Sequence, residues 1–297
     1  MIQSIITTLS TLYAGISFIS LSISGIVGIF IFNKLRKFSG YTTLICVIQS
    51  LFLTLVIYTI LQFASPAQEI QKQQDADKML IVGTSADFPP FSMIKDGTIT
   101  GFDIDIISLI AEKLHKKIEI KDMPFTALIP QIQLGKIQVI AAGMTATPER
   151  EKRVLFTQPY LTGDPLIVIT QANNPITSLL DLHDKEVVVN EGYTADTYMS
   201  AQEGPKLIRL KSPAEAFLAI KTGRSFAFVT SAISVKPFFD QHGNKEFSIY
   251  TIPAAEESTS LAISMKYPEL LMPIQDILDE MKEDGTIEKL KQKWNLV

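Results

Sequence analysis

No aspartate or glutamate precedes Glu69, and residues 5–32 and 41–66 carry no charge of either sign. Each stretch is longer than the roughly 20 apolar residues that cross a bilayer. Globular helices of that length are seldom apolar all round, which argues against a pair of buried core helices. Hydropathy alone therefore predicts two transmembrane helices within residues 1–64. Cysteine is nearly absent too. The single Cys46 lies inside the second apolar stretch, so the remainder of the chain has no disulfide and no cysteine-based metal site. Ile45 precedes it where a lipoprotein cleavage site needs a small residue. Arginine-rich runs and basic patches are missing as well. Three of the 27 basic residues sit between the apolar stretches, and the 24 beyond them face 31 acids. That balance of −7 excludes a nucleic-acid-binding surface of the usual basic kind.

What is present begins with the three basic residues. Lys34, Arg36 and Lys37 lie in NKLRKFSG (33–40), and cytoplasmic loops collect such residues. With this loop inside, the large C-terminal part faces the periplasm or its equivalent. A rival reading takes the loop as the n-region of a signal peptide cleaved near SPA (65–67). The second apolar stretch exceeds an ordinary h-region of roughly 7–15 residues, which favours a retained anchor. Both readings place the C-terminal part on the same side. Residues 65–78, SPAQEIQKQQDADK, are polar and glutamine-rich and read as a tether.

Beyond the tether the chain alternates apolar runs with helical periodicity. MLIVGTS reads as a buried strand and GFDIDIISLIAEKLHKK as a helix with Asp103 and Asp105 in its first turn, where the helix dipole favours anions. KIEIKDM alternates as a strand. FTALIPQIQLGK reads as a short helix closing on Gly135, and IQVIAAG as another strand. This order implies a parallel α/β sheet. The same grammar restarts after Pro165 with DPLIVIT, KEVVVNEG, AEAFLAIKTGR, SFAFVTSA and EFSIYTIP, and the chain closes on two amphipathic helices broken at Gly285.

One stretch carries the chemistry. In AAGMTATPER (141–150), Thr147 followed by Pro148 is an N-cap and first-turn signal. Free N–H groups at such a turn attract anions. Arg150 in that turn opposes the dipole, and it makes sense if a carboxylate docks on it, because guanidinium matches carboxylate through two parallel hydrogen bonds. Gly143 permits close approach to the backbone. A solvated arginine beside an ordinary capped helix is the plainer alternative.

VGTSADFPPF (82–91), GFDIDIISLIAEKL (101–114), AAGMTATPER, LFTQPYLTG (155–163) and the terminal LKQKWNL, in that order, resemble the family-3 solute-binding proteins of amino-acid ABC transporters. The resemblance implies an α/β, two-lobed periplasmic-binding-protein fold of type II, here preceded by the two transmembrane helices. Its lobe 1 would be residues 79–162 plus 260–297 and its lobe 2 residues 163–259. Two crossing strands near YLTGDP and EESTSL would form the hinge. The family's arginine of the TxxxxR segment clamps the ligand's α-carboxylate, and Arg150 matches it, with Thr145 assisting. Ala142 and Gly143 match backbone that lines the pocket. Phe88 and Phe125 match aromatics that sandwich the ligand's side chain, and Thr194 matches a helix start across the cleft.

The chain departs from the family where an aspartate of lobe 2 usually holds the ligand's ammonium. That position is Ser231, and another commonly acidic or polar position is Ser85. Asp87, Glu191, Glu256 and Glu257 could substitute, although each reads more readily as a solvated side chain. The expected function is a membrane-anchored extracytoplasmic receptor that binds an amino acid or related carboxylate and presents it to an ABC permease, with no cofactor, no metal and no catalytic residue. A dehydratase acting on a prephenate- or arogenate-like substrate is the alternative on the same fold. It needs an acid or base in the cleft, and His115, His183 and His242 all read as surface residues, leaving Glu191. A sensing subunit for a separate partner is the other reading.

Overall fold

The computed structural model describes residues 47–56, 58 and 78–296. Residues 47–56 and 58 are helical, with Leu51, Phe52 and Leu55 exposed. No helix among the described residues is long and apolar enough to cross a membrane. The first apolar stretch, most of the second and most of the tether lie outside the described residues. Residues 77–297 form a compact unit of their own.

That unit is built on two five-stranded sheets. The first starts with β1 (Met79–Thr84). Helix α1 (Phe102–Lys113) follows, then β5 (Lys117–Asp122), α2 (Phe125–Leu134) and β6 (Val139–Ile140). β5 and β6 flank β1 in parallel, the arrangement expected from strands alternating with helices. The sheet is completed by β13 (Ala262–Ile263) and β7 (Leu155–Phe156), giving the order β5-β1-β6-β13-β7. β13 runs antiparallel to both neighbours, so the sheet is mixed rather than parallel throughout. The reason is connectivity: β13 belongs to the returning chain.

The second sheet has the order β10-β9-β11-β8-β12. Its parallel core is β10 (Lys206–Leu210), β9 (Glu186–Asn190) and β11 (Ala227–Ser231). The two long strands β8 (Leu161–Gln171) and β12 (Phe247–Thr259) pair antiparallel over almost their whole length. They carry the chain from the first sheet into the second and back, which makes them the hinge. Helices α4 (Thr194–Ser200), α5 (Pro213–Lys221) and α6 (Ala232–His242) pack around this sheet.

A small sheet was not foreseen from the sequence. β2 (Asp87–Phe88), β3 (Ser92–Lys95) and β4 (Thr98–Thr100) form an antiparallel meander. The β3–β4 turn is Asp96-Gly97 with positive φ at both residues (52° and 75°), the hairpin chemistry of an Asp-Gly pair. The closing helices α7 (Leu271–Glu283) and α8 (Thr286–Lys293) break at Gly285, which is left-handed with φ 74°, and α2 ends on Gly135 with φ 76°.

The core follows the two sheets. One apolar cluster draws on residues 80–161 and 261–287, from both the outgoing and the returning chain. Two smaller clusters on the faces of the second sheet draw on residues 166–255. Tyr193 crosses this division: it comes from the loop after β9, yet it packs in the first cluster.

Candidate functional site

Helix α3 (Pro148–Glu151) is a single turn, started as the sequence predicts: Thr147 is the N-cap, its side chain accepting from the Arg150 N–H at 3.3 Å, and Pro148 is the first helical residue. This turn aims Arg150 inward between the two lobes. The side chain is 9% exposed, little for a charged group. Its Nη1 donates to the Thr145 carbonyl at 2.7 Å and its Nη2 to the Gly192 carbonyl at 2.9 Å. Thr145 belongs to the first lobe and Gly192 to the second, so one guanidinium ties both. The Phe125 ring lies beneath it, 5.3 Å from centroid to Cζ. Burial pulls the Arg150 pKa down and the charges of Glu257 and Glu149 oppose this. A cleft of about 230 Å³ opens beside it, lined among others by Phe125, Pro130, Glu149, Arg153, Gly192 and Thr197.

The loop before α3 is held from below. Asp103, in the first turn of α1 and fully buried, accepts the Gly143 N–H at 2.6 Å. Burial pushes its carboxyl up to about 7, against the lowering effect of Gly143 and Tyr160. Gly143 adopts φ +61°, and a Cβ there would meet Phe88 Cε1 at 2.5 Å. The glycine thus lets an aromatic ring rest on the backbone, where the sequence suggested a ligand. Ala142 is fully buried in the same loop.

Phe88 and Phe125, predicted as an aromatic pair, are both buried and both contact Tyr193. The Tyr193 ring stands edge-on to Phe88 at 5.2 Å and tilted on Phe125 at 4.5 Å. Phe91 stacks behind Phe88 at 5.1 Å. Tyr193 is the N-cap residue of α4, and Thr194 the first helical residue. The loop is braced by Asp196, which accepts the Gly192 N–H at 3.0 Å and pairs with Arg209 at 2.9 Å.

The predicted acidic and hydroxyl residues divide. Ser85 donates to Asp87 at 2.8 Å, and Asp87 sits exposed at the rim. Glu191 and Glu256 are exposed, as are the three histidines. Glu257 is half-buried, beside Thr194 and within the field of Arg150. Ser231 precedes α6 as its N-cap, but its hydroxyl makes no cap bond. Asp164, from the hinge strand β8, takes that place: its Oδ1 accepts the Ile233 N–H at 3.0 Å. Sequence reasoning passed over Asp164, Tyr193 and the Gly192 carbonyl. Four buried hydroxyls of this region have no hydrogen-bond partner among the described residues: Thr145, Tyr193, Ser231 and Ser260.

Two α/β lobes joined by a pair of long antiparallel strands, with a buried cation between them, define a hinged solute receptor of the periplasmic-binding-protein class. Residues 80–297 match the family described as Bacterial extracellular solute-binding proteins, family 3, and the chain belongs to that family. It is 32% identical over 224 residues to the Arginine-binding extracellular protein ArtP of Bacillus subtilis (strain 168), covering 74% of this chain and 88% of that one. Its structure is similar to an ancestral arginine-binding protein bound to arginine (TM-score 0.68, 39% identity, 73% of this chain and 98% of that one). It is also similar to the ancestral amino acid-binding protein AncCDT-1, a precursor of cyclohexadienyl dehydratase (TM-score 0.66, 34% identity, 76% and 98%). The relatives are receptors, and a receptor rather than an enzyme is what this chain is.

Proposed function

We propose that this receptor binds a small carboxylate-bearing solute, an amino acid, between its lobes, and presents it in the closed form to an ABC permease. The observation that supports this reading is Arg150: a buried guanidinium bonded to carbonyls of both lobes, beside unpartnered hydroxyls of Thr145 and Tyr193. A guanidinium has five N–H donors, and two neutral carbonyls do not balance its charge. A carboxylate in the cleft supplies that balance and the geometry of paired hydrogen bonds. Phe88 and Phe125 then flank the solute together with Tyr193, and the Gly192–Thr194 loop closes over it from the second lobe. Ala142, Gly143, Ser85, Asp87 and Ser231 form the surrounding wall. We take residues 79–162 plus 260–297 as lobe 1 and 163–259 as lobe 2, because the sheets and apolar clusters partition there.

The same reading keeps residues 1–64 as a two-helix anchor in the inner membrane and 65–78 as the tether. The uncharged runs and the exposed apolar helix at residues 47–56 and 58 support it. Retained apolar segments hold the receptor near its permease and raise its effective concentration there.

Calorimetric titration of the chain with the proteinogenic L-amino acids tests the site. One or a few should bind, and Arg150→Ala should weaken that binding by about 2–5 kcal/mol, the range for truncating half of a buried charge pair. Unchanged affinity in Arg150→Ala would refute the clamp.

A further inference from the structure

Tyr193 bridges two aromatic rings of the first lobe that do not meet without it. Its ring lies 4.5 Å from Phe125 and 5.2 Å from Phe88, centroid to centroid. Among the described residues Phe88 and Phe125 form no ring pair with each other. Aromatic rings in contact have centroids about 4.5–7 Å apart, so at these separations nothing else fits between Tyr193 and either neighbour. The residue belongs to the second lobe, yet it is 7% exposed and packs in the apolar cluster of the first. The filled space adjoins the clamp. The Arg150 guanidinium lies 5.3 Å from the Phe125 centroid, and its charge acts on the Tyr193 hydroxyl.

The backbone holds the ring in this place. The Tyr193 N–H donates to the Asn190 carbonyl at 3.1 Å, and its carbonyl accepts the Thr197 N–H at 3.1 Å. Gly192 before it is fixed by Asp196 at its N–H and by Arg150 at its carbonyl. Gly192 has φ +76°, and a Cβ there would stand 3.1 Å from Thr126 Cγ2, so the loop lies against the start of α2. The ring can therefore leave in two ways only. It turns about its own side-chain bonds and loses both aromatic neighbours, or the whole loop withdraws with the second lobe and the cleft opens. The Tyr193 hydroxyl has no hydrogen-bond partner, although Asp87, Glu257 and Arg150 all act on it. Buried hydroxyls are nearly always paired, so this one marks where a polar group of a bound solute reaches. The Thr145 hydroxyl, also buried and unpartnered, marks the other end of that place, at the clamp.

We propose that Tyr193 determines specificity by size: its ring occupies the space between Phe88 and Phe125 that a long ligand side chain would need, so the closed receptor takes solutes with short side chains. The inference rests on the clamp reading given above and adds a size limit to it. A solute as small as alanine, serine or cysteine fits on Arg150 and Thr145 with Tyr193 in place. A solute as long as arginine or lysine can dock its carboxylate on Arg150, but its side chain meets the Tyr193 ring before the lobes close. It must then expel that ring from two aromatic contacts or do without the second lobe. Selection of this kind works through a clash with the wrong solute rather than an added contact with the right one. One surplus methylene in a closed apolar pocket costs about 10–200-fold. Arginine and lysine carry several, which puts the expected discrimination at about 100-fold or more.

The test is calorimetric titration of the full chain in detergent with two sets of probes. Glycine, L-alanine, L-serine, L-cysteine and L-threonine are the short set, and L-arginine, L-lysine, L-histidine and L-glutamine the long set. The wild type should bind at least one short probe, and each long probe about 100-fold more weakly. Tyr193→Ser should lift the limit, a long probe gaining at least about tenfold relative to the best short one. Continued binding of the short probe shows that this variant is folded. Tyr193→Phe keeps the ring and should keep the limit, which separates the bulk of the side chain from its hydroxyl. A wild type that binds a long probe as tightly as any short one overturns the proposal, whether or not Tyr193→Ser folds. An unchanged profile in a folded Tyr193→Ser, or a lost limit in Tyr193→Phe, overturns it too. In each of these cases the clamp stands if Arg150→Ala loses the binding that the wild type shows. If Arg150→Ala binds unchanged, or if no probe of either set binds the wild type, the clamp reading falls and the size limit with it.

Discussion

Gly143→Ala is the sharpest test of how the binding loop is built. The native φ of +61° lies in the left-handed region, where an L side chain costs about 1–2 kcal/mol. The added methyl would stand 2.5 Å from Phe88 Cε1, 2.9 Å from Cδ1 and 3.1 Å from Phe91 Cγ. Phe88 has nowhere to retreat, since it is 3% exposed, stacked on Phe91 and edge-on to Tyr193. Overpacking of this kind costs about 1–3 kcal/mol. The expected loss is therefore about 2–5 kcal/mol, measured by urea denaturation of the chain. The two contributions can be separated. Phe88→Leu shortens the ring that collides, so in the double variant the steric part should largely vanish while the backbone part stays. A double-mutant cycle should give a favourable coupling of about 1–2 kcal/mol. Gly143→Ala within about 0.5 kcal/mol of the wild type would mean that the loop is not pinned between Asp103 and Phe88 as described, and the account of how Thr145 and Arg150 are positioned would fail with it.

Tyr193→Phe should change folding stability by less than about 1 kcal/mol in chemical denaturation, because the hydroxyl it deletes has no partner to lose; a loss above about 2 kcal/mol would show a bond that the geometry does not contain. Asp103→Asn should remove a contribution that lowers stability as pH rises from about 4 to about 7. Burial holds the Asp103 carboxyl near 7, so from about 4 up to about 7 the folded chain keeps a proton that the unfolded chain has released. Stability accordingly falls as pH rises through that window. Asp164 and Glu257 are raised too and act with the same sign. The informative quantity is thus the difference between variant and wild type, and parallel curves would contradict the assignment.

The elements that local chemistry dictates were legible. Thr147-Pro148 started α3, Gly135 closed α2, Gly285 separated the last two helices, and the hinge strands fell where the flanking motifs placed them. The residue the sequence singled out, Arg150, is buried between the lobes. What escaped depends on register. Glu256 and Glu257 are adjacent acids, and a strand turns one out and the other in. Irregularities between Thr251 and Glu256 and between Glu257 and Ser258 shift that alternation, so no count along the sequence shows which acid faces Asp164. Tyr193 was missed for another reason: the turn before α4 was read for its helix start at Thr194, although a large aromatic at an N-cap is unusual and must pack somewhere. The Asp96-Gly97 hairpin was announced by its own dipeptide and went unread because its strands are only three and four residues long.

The placement of the charges bears on how such a receptor closes. A ligand moves an open–closed equilibrium only through contacts that differ between the two states. In the proposed reading, Arg150 and Thr145 sit on the first lobe, and Asp164 and Glu257 sit on the strands about which the lobes turn. Arg150 and Thr145 share the first lobe, so a carboxylate can dock on them in either state. The contacts that change are those of Gly192, Tyr193 and Thr194, which come from the second lobe and reach Arg150, Phe88 and Phe125 in the first. Affinity and closure are then set by different residues. In that reading Arg150 decides whether a carboxylate-bearing solute stays in the cleft. The three-residue loop decides how far its presence shifts the protein toward the closed shape.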